Sequence, residues 1–224
     1  GSEKYKGAAS LALNGAMASG TGSVSAFLPH SVSSALWTTH PEVLSLGNLN
    51  TFHDGSSDVS KVLDEVDLTR FDSILLGPGL GIAEENDCFG SDLLGFKGLL
   101  ILDADAINRL SKTSKGWKWL IERKGTTWLT PHLDEFKRLF PLIDYSNPLK
   151  AGIEAAKLCS SSVLLKGAHS VISDPEGKTW QIGQVNSSVA RTGLGDVLAG
   201  FVSGMGAVGL ASTNQLDTNL LAAS

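Results

Sequence analysis

The feature that most constrains this chain is a repeated unit, in which a short apolar run stops at a glycine or a polar side chain and a helical pattern follows. Residues 73–76 (SILL) stop at Gly77-Pro78-Gly79, and 98–102 (GLLIL) stop at Asp103-Ala104-Asp105. Residues 126–129 (TTWL) stop at Thr130-Pro131-His132, and 163–165 (VLL) stop at Lys166-Gly167. Runs this short do not make core helices, and apolar residues in succession suit strands covered on both faces. Strands alternating with helices make a mostly parallel sheet. The expected fold is α/β, a three-layer αβα sandwich with a mostly parallel central sheet.

Other segments are read around this frame. Residues 8–20 are small and apolar with a closing glycine and predict a tightly packed helix. A strand is expected over 23–28, closed by Pro29, another near 43–46, and a surface loop through 47–57. Helices are expected over 58–66, with Asp58 near the N-cap, and over 84–95, 105–111, 133–140, 148–159, 195–208 and 214–224. Residues 170–173 and 179–182, split by Asp174-Pro175-Glu176-Gly177, form a hairpin signal.

Composition narrows the function classes. The chain is 42% hydrophobic and 18% charged, enough for a core and unlike disorder. A net charge of −5 without a basic cluster argues against nucleic acid as a partner. Cys88 and Cys159 lie far apart, which argues against a disulfide framework or zinc site and for thiols in a reducing compartment. No apolar run reaches roughly 18 residues, so no membrane partner is expected. Gly1-Ser2 reads as a cloning scar, and no internal repeat breaks the reading of 1–224 as one domain.

In open α/β sheets ligands bind beyond the carboxyl ends of the strands. That rule puts Gly79, Gly81, Asp103, Asp105, His132, Glu135 and Lys166 along one edge. The sharpest motif is Thr192-Gly193-Leu194-Gly195-Asp196, opening a helix. Its glycines allow backbone N–H groups close to an anion, and the helix dipole favours negative charge there. Asp196 is placed to take a hydroxyl proton as that hydroxyl attacks phosphorus. Taken alone, the turn reads equally as a capped helix start. Lys166 can neutralise phosphate, His132 can meet a substrate amide or ring, and Glu135 can hold a magnesium-bound water. Each also has an ordinary structural reading. The chain has no GxxxxGK[ST] loop.

Five motifs in order, GPGLG (77–81), LDADAIN (102–108), LTPHLDEF (129–136), LLKGAHSVI (164–172) and TGLGDVLAGFVSG (192–204), resemble the ADP/ATP-dependent NAD(P)H-hydrate dehydratases of the ribokinase-like superfamily. The resemblance runs over about residues 7–224. It implies ADP or ATP with Mg2+ as cofactors, NADH or NADPH hydrated at C6 as substrate, and repair to NADH or NADPH; a cytoplasmic homo-oligomer is expected, with the small, apolar helix 8–20 as its candidate interface. It implies Asp196 as the base in contact with the hydrate. It places the nucleotide on Lys166, Gly167, Ala168, His169, Ser170, Gly193 and Gly195, and the nicotinamide side on Ala8, Gly81 and His132. Magnesium is implied between the phosphates, with Glu135 as the candidate residue. The chain departs from the family in three places. In this sequence Lys4-Tyr5-Lys6-Gly7 runs directly into the small-residue helix where the family has a glycine-rich strand before it, the sequence stops at Ser224 where the family continues through another helix, and Arg191-Thr192 and Leu194 replace smaller residues.

Two other readings share these motifs. A vitamin-alcohol kinase of the same superfamily (hydroxymethylpyrimidine, pyridoxal or thiazole) has the same Gly-Asp turn, but those kinases usually carry Asn where His132 stands. A non-catalytic nucleotide-binding protein needs none of Asp196, Lys166 and Glu135.

Overall fold

A computed structural model describes residues 1–83, 89–183, 191–213 and 218–224. The apolar runs form the strands of a six-stranded sheet. They are β4 (Ser73–Leu76), β5 (Leu99–Leu102), β6 (Thr127–Leu129) and β7 (Ser162–Leu165), continued by β8 (Val171–Ser173) and β9 (Thr179–Gln181). The strands lie in sequence order, with β4 to β7 parallel and the β7–β8–β9 pairs antiparallel. Alternate residues part to opposite faces as a pleated strand requires. Leu99, Ile101, Trp128 and Leu164 pack on one face with Val202 and Leu221. Leu100, Leu102, Leu129, Val163 and Leu165 pack on the other with Ile107, Phe136 and Ala155.

The helices fall into two layers. One holds α1 (Lys6–Ala18), α10 (Leu194–Thr213) and α11 (Thr218–Ala223). The other holds α6 (Ala104–Lys112), α8 (Leu133–Leu139) and α9 (Pro148–Cys159), beside the short α4 (Ser60–Glu65), α5 (Ser91–Gly95) and α7 (Lys118–Ile121). This is the expected layered α/β architecture. By length and apolar composition α10 could cross a membrane; here it packs on α1, β4 and β5.

The first sixty residues depart most from the sequence reading. β1 (Ser25–Pro29) pairs with β2 (Leu44–Thr51), and β2 pairs with β3 (Ser57–Asp58), in a separate sheet. The loop expected through 47–57 is therefore strand as far as Thr51. Two short helices, α2 (His30–Ser33) and α3 (Leu36–Thr39), occupy a stretch that carried no pattern. Asp58 does cap the next helix, but from one residue further out. Its Oδ1 accepts from the Ser60 N–H at 3.0 Å, and Val59 is the N-cap. Helix α5 begins only at Ser91; Cys88 and the rest of 84–88 lie outside the described residues. Gly1-Ser2 is not an appendage, because Ser2 is fully buried and the Gly1 carbonyl accepts from Ser57 Oγ at 2.7 Å. Between β1 and β4 lies an apolar cavity of about 720 Å³, lined by Leu13, Phe27, Leu63, Ile74 and Ala207 among others.

The small residues of α1 face α10 within the chain. A β-carbon on Gly200 would lie 1.8 Å from the Ala12 carbonyl oxygen, and one on Gly15 would lie 2.0 Å from that of Val197. The backbones touch, so neither can give way cheaply. Gly200→Ala is expected to destabilise by about 1–3 kcal/mol despite alanine's better helix propensity. Gly7→Ala, with open space around it, is expected to be neutral or to stabilise by up to about 1 kcal/mol. Urea midpoints of the two variants check the contrast.

Candidate active site

Three strand ends meet at one carboxylate. Asp103 follows β5 and is 1% exposed. Its Oδ1 accepts from Thr130 Oγ1, beyond β6, at 2.8 Å and from Lys166 Nζ, beyond β7, at 2.7 Å. The parallel order β5-β6-β7 sets these residues side by side. The rows stay in step past the strands, since Lys166 N–H donates to the Pro131 carbonyl at 2.8 Å and His132 bridges Lys166. Ala104, next to Asp103, has φ +46°, a left-handed conformation that costs an L-residue roughly 1–2 kcal/mol.

The first turn of α10 closes over this pair. Gly193 has φ +85°, and its carbonyl accepts from Val197 N–H at 3.1 Å. A β-carbon on Gly195 would lie 3.5 Å from Lys166 Nζ, so the ammonium sits against the start of the helix. The Asp196 carboxyl is held above its ordinary pKa, first by burial and then by the Asp103 charge, with Lys166 acting in the opposite sense. A carboxylate with raised proton affinity, half-buried at a helix N-terminus beside a lysine, is equipped to accept a proton next to an anion.

Lys166 to Ser170 form a turn beside it. Ser170 Oγ accepts from Gly167 N–H at 3.3 Å, and His169 Nδ1 lies 3.3 Å from the Ile182 carbonyl. Gly167, Ala168 and His169 are exposed, so their backbone is open to a ligand. On the other side, Ala8 lies against the 77–81 loop, where a β-carbon on Gly79 would meet Ala8 Cβ at 2.7 Å. Gly81 N–H donates to Asp105 Oδ2 at 2.8 Å.

His132 is the N-cap of α8, not a residue of the helix. Its Nδ1 accepts from Asp134 N–H at 3.1 Å and Glu135 N–H at 3.5 Å. Glu135 reciprocates: Oε2 accepts from His132 N–H at 2.8 Å, and Oε1 lies 3.1 Å from His132 Nε2. Burial pushes Glu135 up to about 7 from an ordinary 4.5. Over that interval the folded chain holds a proton that the unfolded chain has released. Stability therefore falls as pH rises through it, by about 3 kcal/mol in all. Glu135→Gln keeps an acceptor for His132 and is expected to abolish this decline, as read by urea unfolding at both ends of the interval.

Glu135 fits magnesium poorly. Both its oxygens are engaged by His132, and among the described residues no three His, Cys, Asp or Glu side chains cluster to hold an ion. The polar strand ends thus converge as expected, with Glu135 serving as a cap. Two participants were missed. Thr130 read only as a turn residue. Arg109 lay inside a helical pattern, where the one signal was its spacing of four from Asp105.

These elements make an α/β domain of ribokinase-like fold, with a carboxylate buried at the strand ends and paired to a lysine beside a helix start. A family model for NAD(P)H-hydrate dehydratase matches residues 1–223, and the chain belongs to that family. It is 42% identical over 205 residues to the bifunctional NAD(P)H-hydrate repair enzyme Nnr of Synechocystis sp., and 35% identical over 205 residues to that of Gloeobacter violaceus. Each alignment covers 92% of this chain but only 38% and 39% of those relatives, so the chain spans under two-fifths of their length. Among solved structures it resembles the ADP/ATP-dependent NAD(P)H-hydrate dehydratase of Bacillus subtilis co-crystallised with ATP/Mg2+. The TM-score is 0.75 at 27% identity, over 98% of this chain and 72% of that one. A ribokinase-like superfamily protein of Enterococcus faecalis V583 shares the fold, with a TM-score of 0.70 at 22% identity over 99% of this chain and 81% of that one.

Proposed function

We propose that residues 1–224 form one ribokinase-like domain that returns C6-hydrated NADH and NADPH to NADH and NADPH at the expense of ADP or ATP. The observation that carries the reading is the placement of Asp196, with its raised proton affinity, beside the Lys166–Asp103 pair at the start of α10. The nucleotide lies on the Lys166–Ser170 turn and the backbone of Gly193 and Gly195, and brings Mg2+ on its own phosphates. The hydrate lies toward Ala8, Gly81 and His132.

Asp196 takes the proton of the C6 hydroxyl as its oxygen attacks the terminal phosphorus. The bond from that phosphorus to the nucleotide's bridging oxygen breaks, and the nucleotide leaves one phosphate shorter. Lys166 offsets the negative charge on the transferring group. Hydroxide is a poor leaving group and phosphate a good one. The ring-nitrogen lone pair expels phosphate from C6, and loss of a C5 proton restores the C5–C6 double bond.

The test is incubation with hydrated NADH plus ADP or ATP, following the dihydronicotinamide absorbance. Recovery with one nucleotide or both is expected. No recovery with either overturns the reading, and phosphorylation of a vitamin alcohol instead would assign the domain to the kinases.

A further inference from the structure

The most unusual charged group outside the strand-end cluster is Arg109. It is 2% exposed within α6 and, among the described residues, has no carboxylate within ion-pair distance. Its guanidinium instead gathers three backbone carbonyls. Nε donates to Gly81 at 2.7 Å, and Nη2 donates to Ser57 at 2.9 Å and Leu80 at 3.1 Å. Nη1 is buried with no partner among the described residues. A buried cation held only by carbonyls is costly to desolvate, and a leucine would fill the space more cheaply.

The arrangement has a geometric logic. Asp105 and Arg109 are four apart on α6 and so share a face. Asp105 accepts the Gly81 N–H while Arg109 donates to the Gly81 carbonyl, so both polar groups of one residue's backbone are pinned by one helix. The loop they pin is tightly wound: Gly79 and Gly81 have φ of +60° and +82°, and a β-carbon on Gly81 would lie 2.5 Å from Ser56 Cβ. The same bonds reach Ser57, so they also tie β3 to the loop, reinforced by Ser57 N–H donating to the Leu80 carbonyl at 2.9 Å. Asp103, two residues before Asp105, is the N-cap residue of α6 and holds Lys166. One short helix therefore registers the 77–81 loop against the lysine at the other side of the site.

We propose that Arg109 is a positioning residue that fixes the 77–81 loop, and through it the hydrated dinucleotide, relative to Lys166. The part concerning substrate rests on the proposed function. The planar fork of arginine satisfies carbonyls on two segments at once, which a lysine ammonium on a flexible stem does not reproduce.

The experiment uses Arg109→Lys, which keeps the buried charge, and Arg109→Met, each compared with wild type for thermal midpoint, kinetics and hydrogen exchange. Arg109→Lys is expected to raise KM for hydrated NADH by roughly 10- to 100-fold, with KM for the nucleotide within about twofold. Without any substrate, amide exchange over 77–81 is expected to accelerate, while 166–170 and 193–196 keep wild-type rates. Equal rises in both KM values, or exchange accelerated across all three segments, would mean general destabilisation and overturn the proposal. Unchanged exchange at 77–81 overturns it as well. Because exchange is read without turnover, failure of wild type to act on the hydrate would sink the functional reading and leave the loop clamp to be judged separately. Should Arg109→Met fail to fold, Arg109→Lys carries the test.

Discussion

Asp196→Asn is expected to lower turnover of hydrated NADH by roughly 10²- to 10⁴-fold and to leave nucleotide affinity unchanged or slightly improved. Asparagine matches aspartate in size and keeps an oxygen at the first turn of α10, so the helix start and its glycines should hold their shape. What is lost is a carboxylate that burial and the Asp103 charge make a stronger base than usual. Losing a negative charge beside the phosphates removes a repulsion, which is why binding should not suffer. Initial rates at saturating hydrate, with nucleotide titrations monitored calorimetrically, separate the two effects. A wild-type rate would show that another group takes the hydroxyl proton.

Lys166→Met is expected to act on both stability and binding. The substitution strands the Asp103 carboxylate, 1% exposed, with Thr130 Oγ1 as its remaining side-chain partner. Breaking a buried pair from one side costs about 3–5 kcal/mol, and this pair, with Asp103 buried and the Lys166 side chain 20% exposed, should lose up to about that much, a large share of a typical domain's 5–15 kcal/mol. Nucleotide affinity should fall as well, because a cation at the start of α10 is gone. The two losses part in a double variant. Asp103→Asn with Lys166→Met should recover most of the stability, since no uncompensated charge remains, while affinity stays low. Recovery of affinity together with stability would mean that Lys166 acts only through the fold.

Much of the fold was legible because the inner strands β5 to β7 are buried and so are dominated by apolar residues, Thr127 and Ser162 aside. β2 was not. It is largely exposed, with Ser45, Asn48 and Asn50 along it, and its strand character comes from pairing with β1 rather than from its own pattern. The convergence of Asp103 and Lys166 was legible because polar residues at successive strand ends have one edge to share, whereas Asp196, at a helix start, was picked out by its glycine-rich motif and the family resemblance. Arg109 was not, since a charged residue on a helix ordinarily faces water and nothing local says that this one turns inward. His132 was placed in the site, but its service as a cap depends on where α8 starts, a boundary that sequence sets only loosely.

The cap has a consequence for what His132 can offer a ligand. With Nδ1 accepting helix N–H groups, the ring proton belongs on Nε2, which faces Glu135. Burial and Lys166 hold the imidazole below its ordinary pKa, favouring the neutral ring that this geometry needs. Both nitrogens are thereby spent within the protein. What such a ring would offer a molecule bound there is its flat, uncharged face, recognised by shape and stacking rather than by donor and acceptor. An asparagine in its place would present an amide and read a different chemistry.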